Sequence, residues 1–140
     1  RFGPALHGVV GQPMVPAGRE LLVGVTSDAV FGPLVVFGLG GVDTDLVNDR
    51  TARLVPLTDV DADEMLTGIR SAPKLFTSTA DQAVVRDVIV RVARLAEVLP
   101  EVAELDVNPL VVADGTGVVV DARVRVTPTD YVDPYLRRMR

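Results

Sequence analysis

The chain contains no cysteine, no tryptophan and a single histidine, His7. Without cysteine there are no disulfides, no thiol nucleophile and no thiolate metal site, and a reducing cytoplasm suits such a composition. With one histidine, a Ser-His-Asp triad could be built only around His7. Nothing around Ser27, Ser71 or Ser78 resembles a nucleophile elbow. His7 has no partner nearby in sequence and reads as a strand residue. Aromatic residues make up 4% of the chain and Lys74 is the sole lysine. Few stacking platforms, scattered arginines and a formal net charge of −5 argue against nucleic-acid binding, which needs cationic and aromatic footprints. No apolar run approaches the ~20 residues of a membrane span, and no signal peptide is visible.

What is present is an ordinary globular balance, 48% hydrophobic and 24% charged over 140 residues. That is enough for one domain whose core is built from Val, Leu and Ala. The chain opens on Arg1 and enters directly into patterned sequence, as expected for an excised piece of a longer polypeptide.

The pattern predicts strands, then helices, then strands. Leu6 to Val15 and Glu20 to Thr26 read as a hairpin around Pro16-Ala17-Gly18. Phe31-Gly32-Pro33 is a turn before a short strand, Leu34 to Phe37, and Gly38-Leu39-Gly40-Gly41 is a glycine loop. Arg53-Leu54-Val55 reads as another short strand. A helix is expected to start near Thr58 or Asp59, where Asp61, Asp63 and Glu64 crowd the positive end of the helix dipole. A second runs from about Asp81 to Leu99, with Val84, Val85, Val88, Ile89, Val92, Leu95, Ala96 and Leu99 at helical spacing. Glu104 to Val112 and Val118 to Val124 form a closing hairpin about the turn Asp114 to Gly117. The fold class is α+β, a mainly antiparallel sheet packed against two helices. Residues 1–127 are assigned to this domain and 128–140 to a tail.

Three groups of residues carry candidate chemistry. Asp106 and Asn108 lie two apart on one strand, so they share a face. The hairpin brings Asp121 close to opposite Asn108. Two carboxylates and an amide oxygen are hard ligands suited to Mg²⁺ bridging phosphates; equally, they could be solvent-face residues and a strand end. The glycine run lets backbone amides approach an anion, or is a tight turn; it lacks the Lys-Ser or Lys-Thr of a P-loop. Gln12, Met14 and Val15 would line an adenine slot, or belong to an exposed hairpin.

An ordered set of segments resembles the NDP-forming acyl-CoA synthetase family. They are Gln12-Pro13-Met14, Gly18 to Val25, Asp28 to Gly41, Arg53 to Leu57, Glu104 to Leu110 and Val120 to Val124, together spanning about residues 8 to 126. The resemblance implies the C-terminal subdomain of an ATP-grasp module, similar to the beta subunit of succinyl-CoA synthetase. It implies Mg and ATP or ADP as cofactors. It also implies a ligase that converts acid, CoA and ATP to acyl-CoA, ADP and phosphate through a phosphohistidine relay. Mg²⁺ would fall to Asp106, Asn108 and Asp121, with Asp106 a shorter carboxylate than the Glu of the succinyl-CoA synthetase pattern. The adenine would fall to Gln12, Pro13, Met14 and Val15. Glu20, Gly38, Gly40 and Gly41 would face nucleotide or phosphohistidine, and Arg53 could face a phosphate. The first ATP-grasp lobe with its lysine, the relay histidine and the CoA-binding and ligase domains would lie elsewhere in the polypeptide. The isolated chain is therefore expected to be inactive. The alternative implied by the resemblance is a regulatory module of a protein fused to a GNAT lysine acetyltransferase, whose C-terminus the tail Asp133 to Arg140 resembles.

Overall fold

A computed structural model describes residues 8–28, 30–41, 48–76 and 78–128. Six strands form one antiparallel sheet: β1 Arg19–Asp28, β2 Gly32–Leu39, β3 Arg50–Leu54, β4 Val102–Ala113, β5 Thr116–Val119 and β6 Ala122–Val126. The order is β3-β2-β1-β4, and the far edge of β4 is shared by β5 and β6. Among the described residues three helices, α1 Asp59–Thr67, α2 Ala72–Leu75 and α3 Thr79–Val98, lie between β3 and β4.

The sheet forms because β1, β2 and β4 each carry large apolar residues at alternating positions. Leu21, Val23 and Val25, then Val35 and Phe37, then Leu105 and Val107 all point to one face and are buried. Helix α3 lies on that face with Val85, Ile89, Val92 and Ala96, and α1 adds Ala62, Met65 and Leu66. The 81, 85, 89, 92, 96 spacing is a helical stripe one side wide. Val88 flanks it half-buried, and Leu99 caps the helix, 47% exposed. Thr58 and Asp61 close a reciprocal capping box on α1, with the Thr58 amide donating to Asp61 at 2.8 Å.

On the opposite face of the sheet none of the helices among the described residues packs. There the ladder puts Thr26 beside Glu104, Gly24 beside Asp106 and Val36 beside Gly24. Near Asn108 and Pro109 the β1–β4 register slips between Leu21 and Val23. The buried positions of β4 accordingly change from 105 and 107 to 110 and 112. A bulge of this kind re-aims side chains without ending the strand.

Three expectations are corrected. Residues 8–18 form no strand, so the first hairpin is not made. Gly8, Gly11, Pro13 and Pro16 interrupt the segment, and β1 instead pairs with β2 and β4. The first tight turn is the one from β1 into β2, where Asp28 Oδ1 accepts from the amides of Val30 and Phe31 at 2.8 and 2.9 Å. The last strand is split at Val120 and Asp121 into β5 and β6. A third, four-residue helix, α2, follows α1, because Pro73 near its start tolerates a helical turn. The two-residue turn Asp114-Gly115 takes positive φ at both positions (50° and 71°), as a primed hairpin turn requires. His7 and all of the tail beyond Pro128 lie outside the described residues.

Candidate functional site

The pairing of β4 with β6, and with Asp121 just before it, places the acidic residues. Val107 pairs with Ala122 and Asp106 with Arg123, and the Asn108 amide donates to the Asp121 carbonyl at 3.2 Å. Directly opposed residues of an antiparallel pair share a face. Asp106, Asn108, Asp121 and Arg123 therefore all stand on the face opposite α3. Asp106 and Asp121 are exposed and Asn108 is half-buried. Arg123 Nε lies 3.5 Å from Asp121 Oδ2, an exposed pair that an incoming cation could replace at little cost. One rung away, Arg125 meets Glu104 at 2.7 Å and holds its carboxyl below the ordinary range, chiefly through that hydrogen bond.

The glycine run comes to the same place. The Gly41 amide donates to Asn108 Oδ1 at 2.9 Å. The Gly40 amide donates to the Glu20 carbonyl at 2.9 Å, and the Leu39 amide to the Asp49 carbonyl at 3.1 Å. Three successive amides are thus committed to acceptors within the chain, so this stretch is not an open anion cradle. Its glycines serve close approach instead. A Cβ on Gly40 would lie 2.5 Å from the Leu21 backbone, and one on Gly41, whose φ is +88°, would lie 2.3 Å from Glu20 Oε2. The Glu20 carboxylate therefore sits over Gly41. Gly38 is buried in β2 against Asp49 and Arg50.

The remaining candidates lie apart. Arg53 pairs with Val35 in the ladder and so belongs to the helix face of the edge strand. Its guanidinium contacts the Ala52 carbonyl, Thr51 and, at 3.4 Å, Glu64 of α1. It is not brought to the acidic cluster. Gln12, Pro13, Met14 and Val15 lie in the extended stretch before β1; Met14 is 93% exposed and Val15 half-buried.

Among the described residues, no three His, Cys, Asp or Glu side chains gather as a metal site. The donor set on the open face is two carboxylates and one amide oxygen. Such a set fits Mg²⁺, which takes one or two protein carboxylates and completes its shell with water and phosphate oxygens. It would not make an all-protein calcium cage.

Sequence reasoning missed Asp49. It is buried, and its two oxygens accept from the Arg70 and Ser71 amides, each at 2.8 Å. Its carboxyl is held below the usual range by the Ser71 side chain first, then by these two amides and the Arg70 charge. The Ser71 hydroxyl itself makes no hydrogen bond of good geometry, so the two amide contacts are the firmer part. The sequence signal was the turn composition Gly68, Ser71 and Pro73 after α1, which implies backbone groups in need of an acceptor.

Residues 2–126 match the family model of an ATP-grasp domain. The chain is 40% identical over 123 residues to the beta subunit of acetate–CoA ligase [ADP-forming] I of Pyrococcus furiosus, covering 85% of this chain and 53% of that protein. It is 37% identical over 123 residues to acetate–CoA ligase [ADP-forming] I of Archaeoglobus fulgidus, covering 85% of this chain and 18% of that one. Among solved structures, it is similar to the protein PH1788 of Pyrococcus horikoshii, with TM-score 0.78, 36% identity and coverage of 84% and 52%. Another is the dinucleotide forming acetyl-coenzyme A synthetase 1 of Ca. Korarchaeum cryptofilum in complex with coenzyme A and Mg-AMPPCP. There the TM-score is 0.72 at 34% identity, covering 81% of this chain and 55% of that chain. The chain thus spans about half the length of the beta subunit it matches, and these relatives lend no support to the acetyltransferase-fused alternative. No helix among the described residues is long and apolar enough to cross a membrane.

Proposed function

Since the chain belongs to the ATP-grasp domain family, we propose that it is the nucleotide- and Mg-binding half of the cleft of an ADP-forming acyl-CoA synthetase, working in the cytoplasm. What supports this reading is the position of Asp106, Asn108 and Asp121 on one face of the β4–β6 pairing, opposite α3, with the Gly41 amide donating to Asn108 and the Glu20 carboxylate beside Gly41. Asp106, Asn108 and Asp121 would hold Mg²⁺. When bound, the ion neutralises phosphate charge and orients the phosphates. The protein residues do the rest by position. The β4–β6 pairing and the Asn108–Asp121 hydrogen bond would hold the three oxygen donors near one another, and the bond from Gly41 to Asn108 would keep the glycine turn against them. Carboxylates on one face repel each other when no cation is present, so phosphate should dock only with the metal. Gln12, Pro13, Met14 and Val15 would meet adenine once a second lobe covers the exposed stretch before β1. Arg53, on the other face, has no part in this reading.

Phosphoryl transfer relies on positioning reactants in a closed, charge-neutralised site. Half a cleft cannot supply that, and the rest of the polypeptide would bring the first lobe, the phosphate-binding lysine and the relay histidine. The purified 140-residue chain should therefore show no acyl-CoA-dependent ADP formation in a coupled assay. In the full-length polypeptide, Asp121→Ala should weaken Mg-ADP binding by about tenfold or more in calorimetry. Asp114→Ala, at the far turn of the hairpin, should leave it unchanged. Ligase turnover by the isolated chain would overturn the half-cleft reading; unchanged Mg-ADP affinity in Asp121→Ala would overturn the metal assignment.

A further inference from the structure

The acidic cluster carries a cation of its own. Arg123 stands directly opposite Asp106 in the β4–β6 ladder and two residues from Asp121, on the same face as both. Its Nε lies 3.5 Å from Asp121 Oδ2, and the two side chains are 79% and 52% exposed. The strands place two other arginines on this face, and hydrogen bonds commit both. Arg125, opposite Glu104, donates to it at 2.7 Å. Arg50, opposite Gly38 in the edge strand β3, donates to Asn48 Oδ1 at 2.6 Å. Arg123 is the loosely held one, since 3.5 Å is a charge contact rather than a close hydrogen bond.

The charges on this face decide what it accepts. Asp106, Asp121 and the Glu20 carboxylate over Gly41 are three negative groups, and Arg123 offsets one of them. A divalent ion brings the whole to formal neutrality. Were Arg123 uncharged, the metal-loaded group would keep a net negative charge and repel a phosphate. The Asp121 contact is also easily given up. An ion that takes this carboxylate breaks an exposed pair of little worth, and leaves a guanidinium beside the metal without its partner. A planar guanidinium suits phosphate oxygens, which it meets with two parallel N–H donors.

We propose that Arg123 is a binding residue of this site with two successive partners: Asp121 in the metal-free chain, and a phosphate oxygen of the nucleotide once Mg²⁺ holds Asp121. The inference rests on the Mg²⁺ reading of Asp106, Asn108 and Asp121, and adds to it a phosphate contact supplied by this chain.

The test is calorimetry of the full-length polypeptide in two titrations: Mg²⁺ alone, and ADP at saturating Mg²⁺. Arg123→Gln should tighten Mg²⁺ alone by about two- to fivefold, because a competing cation is gone. The same variant should weaken ADP at saturating Mg²⁺ by about fivefold or more, because a charge-assisted contact is lost. Arg123→Lys should hold Mg²⁺ as the wild type does and lose part of the ADP affinity, since an ammonium keeps the charge without the fork. Arg91→Gln, which removes the same charge from the exposed side of α3, should change neither. The opposite signs are the discriminating result, because an arginine that only braces the strand would weaken both. Changes of one sign in both titrations, or no change in either, would overturn the proposal. The metal reading would survive that result as long as Asp121→Ala still weakens Mg-ADP binding. If Asp121→Ala has no effect, the metal reading fails and this inference fails with it.

Discussion

Asn108 offers the sharpest test, since two roles for it predict opposite responses to Mg²⁺. Its side-chain oxygen accepts the Gly41 amide at 2.9 Å, and its backbone amide donates to Asp121. Asn108→Asp keeps an acceptor for Gly41 but adds a negative charge. Asp121 is directly opposite, which places the charges about 5 Å apart, and Asp106 is two residues along the strand, about 7 Å away. Coulomb's law gives roughly 0.8 and 0.6 kcal/mol for these separations in a water-like medium, and about double at half that dielectric constant. The repulsion is thus about 1–3 kcal/mol, partly offset by Arg123. For a chain of this size that lowers Tm by roughly 3–10 °C. With Mg²⁺ the added carboxylate becomes a ligand. At ten times Kd, binding contributes about 1.4 kcal/mol, which should recover about half of the loss or more. Asn108→Ala, by contrast, removes the hydrogen bond from the Gly41 amide to Asn108, costing about 0.5–1.5 kcal/mol with or without the metal. Thermal melts of the wild type and both variants, in EDTA and in excess Mg²⁺, measure all of this. Should Asn108→Asp melt at the same temperature in EDTA and in Mg²⁺, the acidic cluster is not a cation site and Asn108 is only a clamp on the glycine turn.

Two further outcomes follow from the packing and the charges. Ile89 is fully buried in the α3 stripe, so Ile89→Ala should cost about 2–5 kcal/mol. Arg91→Ala, which breaks only an exposed 2.7 Å pair with Asp87, should stay within about 0.5 kcal/mol; equal losses in urea melts would show the helical phase to be wrong. The Asp49 carboxyl is depressed in the fold, so its stabilisation is complete above its unfolded pKa of roughly 3.9 and is lost as pH falls through the lower folded value. Asp49→Asn places an NH₂ where a second acceptor is needed, so it should melt lower than wild type at pH 7. The gap should close as pH drops below about 4, and a gap that stays constant from pH 7 to pH 2 would rule out an ionised Asp49 in the native state.

Local pattern decided much of this molecule. The α3 stripe, the acidic first turn of α1 and the alternation in β1, β2 and β4 are properties of a few consecutive residues, and each appears in the structure. The pairing of Asn108 with Asp121 was legible too, because a tight turn at Asp114-Gly115 sets the hairpin register. Other features needed the chain to be folded. Gly8 to Gly18 has strand-like residues, yet β1 takes its partners from β2 and β4, and no window of sequence says which strand wins. The break at Asp121 depends on β4 being long enough to pair with two strands along one edge. Which face Arg53 occupies depends on its opposition to Val35, across a loop that sequence spacing does not measure. The glycine run looked like an anion cradle because glycines permit bare amides. Only the tertiary structure supplied Asp49, Glu20 and Asn108 as their acceptors, and it did so because an amide's partner is set by what folds beside it.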